Sequence, residues 1–176
     1  HAEGSNTRAN SVGGHTEGFH TFTNTNNYNH AEGLYTTASG VGAHAEGSGS
    51  KAEGNYSHAQ GEKTHALSKG SFASGLESKT GGNYDFAHGY QVTSSLIYST
   101  AVGRFNVGVP SYHSSSFVVG IGISNTSRHN AFEVGFVRAG GSNRPYITIP
   151  MSYKNDSGVE SSLASSSYGD LSPKGT

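Results

Sequence analysis

Apolar positions along this chain are small, and they recur. Ala31, Ala38, Ala45, Ala52, Ala59, Ala66 and Ala73 stand seven residues apart without a break. Thr80, Ala87, Ser94 and Ala101 continue the count; upstream, Ala2, Ala9, Thr16 and Thr23 keep it, with one residue inserted before Ala31. Two places after many of these small residues comes glycine, at Gly4, Gly18, Gly33, Gly40, Gly47, Gly54, Gly61, Gly75, Gly82, Gly89 and Gly103. Alternate units differ, so the true period is fourteen. Tyr28, Gly42, Tyr56, Gly70, Tyr84 and Tyr98 form one column at that spacing, and His30, His44, His58, Phe72, Phe86 and Thr100 form another.

A coiled coil does not fit this seven-residue period. Glycine in every unit costs a helix about 1 kcal/mol each time, and the a/d spacing of large apolar residues is missing. The pattern predicts one short strand and one tight turn per seven residues. Within "HAEG" at 30–33 and 44–47, alternation puts Ala31 and Ala45 on one face and the His and Glu side chains on the other. Gly33, Gly47 and Gly61 are read as the turn positions, where φ is positive. Two units close one coil, and coils stack about 4.8 Å apart through strand hydrogen bonds. Residues 1–103 then give about seven coils, a rod of about 35 Å. The expected fold is all-β: a parallel β-roll of 14-residue coils, each built from two 7-residue strand-turn units. A core of residues such as Ala31, Ala45 and Ala59 buries little apolar area, so lateral partners are expected.

Composition narrows the picture further. Leu, Ile, Val and Phe make up only 30 of 176 residues, yet the formal net charge is -1. Disorder at that low apolar content goes with high net charge, so a repetitive fold is the remaining choice. Near-neutrality removes the electrostatic case for nucleic acid or an anionic membrane. No apolar run approaches the roughly 20 residues that span a bilayer, so no membrane insertion is expected. There is no cysteine, hence no disulfide. The chain starts at His1 without Met or a signal-like stretch, which reads as a fragment or a processed product.

Past Gly103 the large apolar residues concentrate: 17 of the 30 lie there. Ser115–Ser124, Asn130–Ala139 and Arg144–Met151 are rich in β-branched residues and predict three strands separated by polar turns. The expected organisation is a roll over 1–103, a β-rich region over 104–159, and a Ser-rich tail or link over 160–176.

The units "NHAEGLYTTASGVGAHAEGSGSKAEGNYSHAQG" resemble the "HAEG…TASG" repeats of bacteriophage tail-fibre and appendage proteins, and more distantly the head repeats of trimeric autotransporter adhesins. The resemblance covers about residues 1–103. It implies a left-handed parallel β-roll with three chains side by side, a homotrimer on a virion tail or cell surface. The stretch from Thr100 to Val134 resembles the segment that follows such repeats in phage fibres, where it caps the roll. Adhesin repeats usually carry Val and Ile at inward positions, whereas Ala and Thr dominate here. The expected function is a structural and cell-attachment segment of a trimeric fibre, with an adhesin head or a head-to-tail extracellular filament as alternatives. Its receptor would be a glycan or protein on a bacterial or host surface.

Three side-chain columns invite chemistry. His30, His44 and His58, with Glu32 and Glu46 two places on, have the donor types of a metal ladder. The same column continues as Phe72 and Phe86, and Phe cannot bind metal, so the position calls for a flat, stackable ring and no metal is expected. Stacked carboxylates repel, and the histidines charge as pH falls, so a pH-dependent stability is expected. Catalysis has no support, since Glu and His recur as a lattice instead of forming one unique pair in a cleft. "GIGIS" (Gly120–Ser124) lacks the strand-turn-helix context of a phosphate loop, and no cofactor is expected. Tyr28, Tyr56, Tyr84 and Tyr98, with Tyr35 in the alternate column, read first as turn packing, Tyr over Gly. The second reading is a row of exposed rings able to stack on sugars, flanked by Asn and Ser donors. Asn55, Asn125 and Asn155 head glycosylation-type triplets, which matter only along a glycosylating secretory route.

Overall fold

The computed structural model describes residues 1–24, 27–107, 113–139, 142–148, 151–154 and 160–163. Among these residues the chain is all strand and turn, with no helix. Two parallel sheets face each other across the repeat region. One stacks the longer strands Ala2–Ser5, His15–Phe19, His30–Leu34, His44–Ser48, His58–Glu62, Phe72–Leu76, Phe86–Tyr90 and Thr100–Arg104. The other stacks the two-residue strands Arg8–Ala9, Phe22–Thr23, Thr37–Ala38, Lys51–Ala52, His65–Ala66, Lys79–Thr80 and Thr93–Ser94. Each coil therefore contributes one long and one short strand, and the stack is a β-solenoid of about eight turns with fourteen-residue spacing.

Register is strict because every coil repeats the same small residue. Ala31 pairs with Ala45, Ala45 with Ala59, and Ala59 with Ala73. One step is a residue longer, Thr16 to Ala31, yet the pairing stays in line. The extra residue falls between the strands that end at Thr23 and begin at His30.

The core is thin and half polar. Ala31, Ala38, Ala45, Ala52, Ala59, Ala66 and Ala73 are fully buried, and so are Thr16, Thr21, Thr23, Thr36, Ser50, Thr64, Ser78 and Thr80. Some of these hydroxyls bond to the walls or to each other, while Oγ1 of Thr16, Thr21 and Thr36 is buried without a hydrogen-bond partner. Ser50 Oγ donates to the Gly61 carbonyl at 2.9 Å and accepts from Thr64 Oγ1 at 3.0 Å; Ser57 Oγ reaches the Gly54 carbonyl at 2.7 Å. A buried alanine brings only about 1 kcal/mol of apolar transfer, comparable to the backbone entropy lost per ordered residue. The backbone ladders therefore carry much of the cohesion.

Glycine acts differently from the sequence expectation. Gly33, Gly47 and Gly61 sit inside the long strands with φ of 107°, 98° and 119°, one residue before the strand ends. The left-handed turn residue follows two places later, as at Tyr35, Gly49 and Lys63 with φ of 56°, 67° and 51°. The strand-end glycines mark close backbone contact between coils: a Cβ on Gly47 would lie 2.2 Å from the Gly61 carbonyl oxygen.

Beyond Arg104 the long-strand sheet continues. His113–Ile121 adds in parallel, with Ala101 opposite Val118 and Gly103 opposite Gly120, and Asn130–Ala139 and Ser142–Thr148 then add antiparallel. The short-strand sheet stops at Thr93–Ser94. There the Asn106 side chain takes the place of a further strand, accepting from Thr93 N and donating to Thr93 O, both at 2.8 Å. Arg128 lies 5.8 Å from the Phe105 ring centroid and donates to the Gln91 and Asn106 carbonyls at 3.1 and 3.3 Å. The strands match the three expected ones, with the first starting at His113 and the last ending at Thr148. Part of the Ser-rich stretch, Glu160–Leu163, pairs antiparallel with Met151–Lys154; the remainder, 164–176, lies outside the described residues, as does Asn155.

Candidate functional site

One corner of the roll carries the tyrosines. Tyr28, Tyr56, Tyr84 and Tyr98 are all in the left-handed conformation, with φ of 63°, 58°, 59° and 61°, and Gly13, Gly42 and Gly70 hold the same turn in the intervening coils. Each turn is closed to the coil before it: Tyr28, Tyr56 and Tyr84 donate from the backbone to the carbonyls of Val12, Val41 and Lys69 at 2.9, 2.7 and 2.8 Å. The rings lean over the neighbouring glycines. A Cβ placed on Gly13, Gly42 or Gly70 would meet Cδ1 of Tyr28, Tyr56 or Tyr84 at 2.8, 3.0 or 2.7 Å. That covers only part of each ring, since Tyr28, Tyr56 and Tyr98 remain 68%, 65% and 73% exposed. Tyr84 and Tyr98 occupy successive coils and stack at 5.5 Å with planes 8° apart. Tyr35 is elsewhere, at the opposite corner, stacked on His20 at 5.0 Å and edge-on to Phe19 at 5.7 Å.

Asn donors flank the tyrosines, as the sequence reading expects. Asn27, Asn55 and Asn83 each precede one, and all three are exposed. Asn55 Oδ1 accepts from Val41 N at 3.0 Å, and Asn83 Oδ1 accepts from Lys69 N at 3.2 Å. The signal was available as an Asn-Tyr pair recurring every 28 residues, twice the coil length.

The outer face of the long-strand sheet carries the rings of the other column. His1, His15, His30, His44 and His58 stack with centroids 5.1, 4.8, 4.6 and 4.5 Å apart. His58 meets Phe72 edge-on at 4.9 Å, and Phe72 stacks on Phe86 at 5.2 Å. His30 and His44 Nε2 lie 3.7 and 3.8 Å from the carboxylates of Glu32 and Glu46 on the same strand, while Nε2 of His15, His30, His44 and His58 is buried without a hydrogen-bond partner. Donor atoms of His30, Glu32 and His44, and of His44, Glu46 and His58, fall within 4.8 Å of one another, so these groups could hold a metal ion. The ring geometry is that of packing. Imidazole lone pairs lie in the ring planes, and the His30 and His44 planes are only 6° apart, so the two do not converge on a common point. Burial and neighbouring imidazoles push the pKa of His30 and His44 down, partly countered by the glutamates; burial does the same at His58.

A third feature is buried. Asp85 stands in a column with Asn29, Ser57, Ser71 and Ser99 and is 2% exposed. Its Oδ2 accepts from the Gly81 and Gly82 backbone at 3.2 and 3.0 Å, and its Oδ1 has no hydrogen-bond partner. Burial lifts its pKa to about 6, against the pull of those backbone donors. The group is then ionised and buried at neutral pH. Asparagine keeps the acceptor and gains a donor that Asn29 already uses on the Ala38 carbonyl at 3.0 Å. Asp85→Asn is expected to raise stability at pH 7.5 by about 1–3 kcal/mol, measured by urea unfolding; a loss of stability would contradict this account of the site.

Comparison with protein-family models, with curated proteins and with solved structures finds no match for the chain.

Proposed function

We propose that this chain is a structural and cell-attachment segment of a trimeric fibre of the phage tail or appendage type. The observation that carries this reading is the unbroken stack of in-register coils, whose regular outer face repeats the same side chains along one axis. Such a stack supplies length and stiffness and presents one surface many times over. Its core of alanine and hydroxyl residues is too thin to need no neighbour, and large apolar side chains stay open in the second half, with Phe117, Ile121, Ile123, Phe136 and Ile147 all exposed. Three left-handed rolls side by side would cover such surface, with residues 104–159 closing the end of the roll. No catalytic role, metal or cofactor is assigned.

An adhesin head on a cell surface is the second reading. The inward residues favour the phage type, being Ala, Thr and Ser where adhesin repeats usually carry Val and Ile. The test is to label the purified chain and incubate it with a panel of bacterial cells and with immobilised host matrix proteins. Saturable binding to a subset of bacterial cells is the expected result; binding only to host matrix would favour the adhesin, and binding to neither would remove the attachment role.

A further inference from the structure

We propose that the corner bearing Tyr28, Tyr56 and Tyr84 is a binding track for an extended, uncharged β-1,4-linked glycan lying along the roll axis. The inference rests on the attachment reading and gives that surface its ligand class.

Cost without burial is the first argument. Each of these tyrosines holds a left-handed conformation that is unfavourable for a bulky side chain and free for glycine. The same turn is made with glycine at Gly13, Gly42 and Gly70, so the fold does not need a ring there. Nor does the core receive it, because Tyr28, Tyr56 and Tyr84 are 68%, 65% and 47% exposed, with Lys69 Nζ 5.9 Å from the Tyr84 ring centroid. Asn6, Lys63 and Glu77 hold the same conformation at the opposite corner, so what sets this corner apart is a large ring left exposed on it in alternate coils.

Spacing is the second argument. Tyr28, Tyr56 and Tyr84 recur every second coil, a separation of about 9.6 Å for strands about 4.8 Å apart, and Tyr98 then follows Tyr84 in the next coil. The two-coil separation is close to the length of one disaccharide in an extended, two-fold β-1,4-linked chain, so each of the three rings meets the same face of every second sugar. An α-linked helical glucan does not keep that register.

Polar chemistry supplies the third. Asn55 and Asn83 anchor Oδ1 on the preceding coil, which leaves the two Nδ2 hydrogens free to donate to sugar hydroxyl or acetamido oxygens beside each ring. Glu53 and Lys69 are the only charged residues in the corner segments 10–13, 39–42, 53–56, 67–70, 81–84 and 95–98. An acidic polysaccharide has no basic row to meet, and a neutral one needs none.

The experiment is calorimetric titration of the intact chain with cellohexaose and chitohexaose, with maltohexaose as the α-linked control. At least one β-1,4-linked hexaose is expected to bind, and maltohexaose to bind about tenfold more weakly or not at all. The triple variant Tyr28→Gly, Tyr56→Gly, Tyr84→Gly is expected to lose affinity about tenfold or more while keeping its melting temperature, since glycine already fills this column. Tyr35→Gly, at the opposite corner, is expected to bind like the parent. Failure of both β-linked hexaoses to bind the parent chain overturns the proposal, as does equal binding of maltohexaose, undiminished binding by the triple variant, or an equal loss in Tyr35→Gly. Light scattering on the same samples separates the two readings: a trimer that ignores these glycans removes the track alone, and a monomer that binds them removes the trimeric fibre alone.

Discussion

Gly47→Ala is expected to destabilise the roll by about 3 kcal/mol or more, a large effect for one methyl group. The residue has φ of 98°, and its new Cβ would sit 2.2 Å from the Gly61 carbonyl oxygen, 3.0 Å from Gly61 N and 3.0 Å from Gly61 C. Backbone atoms cannot swing aside as a side chain can. Both long strands are held in register on either side, His30 to His44 and His44 to His58, so relief requires opening the ladder between two coils. Because each coil touches only its neighbours, one opened interface weakens the whole stack. Gly49→Asn is the matched control. Gly49 has φ of 67° in a column otherwise filled by Asn6, His20, Tyr35, Lys63, Glu77 and Gln91, and a Cβ there meets Lys63 Cγ at 3.4 Å. It is expected to change stability by less than about 0.5 kcal/mol. Urea unfolding of the two variants checks both, and equal effects would contradict the close-contact role of the glycine ladder.

Acid is expected to loosen the roll. The pKa values of His30, His44 and His58 are lowered, by burial first and for His30 and His44 also by the imidazoles stacked on them, with Glu17, Glu32 and Glu46 pulling the other way. His65, on the opposite sheet, is lowered by burial and by Lys51 and Lys79, and raised by Glu53. A group whose folded pKa is depressed holds its full stabilising share above the unfolded value of 6.5 and loses it as pH falls below that. Asp85 works against this trend. Its folded pKa of about 6 is raised, so its cost diminishes as pH falls toward the ordinary carboxylate value of 3.8. With the four histidines outweighing the one aspartate, the melting temperature is expected to fall between pH 7.5 and 5. The fall should steepen in Asp85→Asn. It should flatten in His44→Phe, which keeps a stackable ring of the kind present at Phe72 and Phe86 while removing the central titrating group. An unchanged melting temperature across that range would contradict the account.

The solenoid was legible because its signal is a count: a small residue every seven positions, with alternate units distinct, specifies two strands per coil and their register. Local geometry was less legible. Gly33 and Gly47 were read as turn residues because glycine tolerates positive φ, yet their essential property is the absence of a Cβ where the next coil's carbonyl passes, which depends on stacking. The true turn position accepts Tyr35, Lys63 and Glu77 with φ of 56°, 51° and 53°, residues that carry no turn signature. In the candidate site, the tyrosine column was visible and its alternation with glycine was too. Its flanking Asn donors were visible too, but the anchoring of Asn55 and Asn83 on the preceding coil and the burial of Asp85 were not, since each depends on a partner in a neighbouring strand or turn. The stacking of His30 on His44 followed from the Phe continuation of the same column, which asks for a ring shape that both residues share.

The central claim is that a roll this thin is one of three. Light scattering behind size exclusion gives the native mass of the 18.3 kDa chain directly. A mass of three chains, independent of loading concentration, is the predicted result. A clean single-chain mass would contradict it, because exposed apolar side chains such as Ile121, Ile123 and Ile147 would then have no neighbour to cover them.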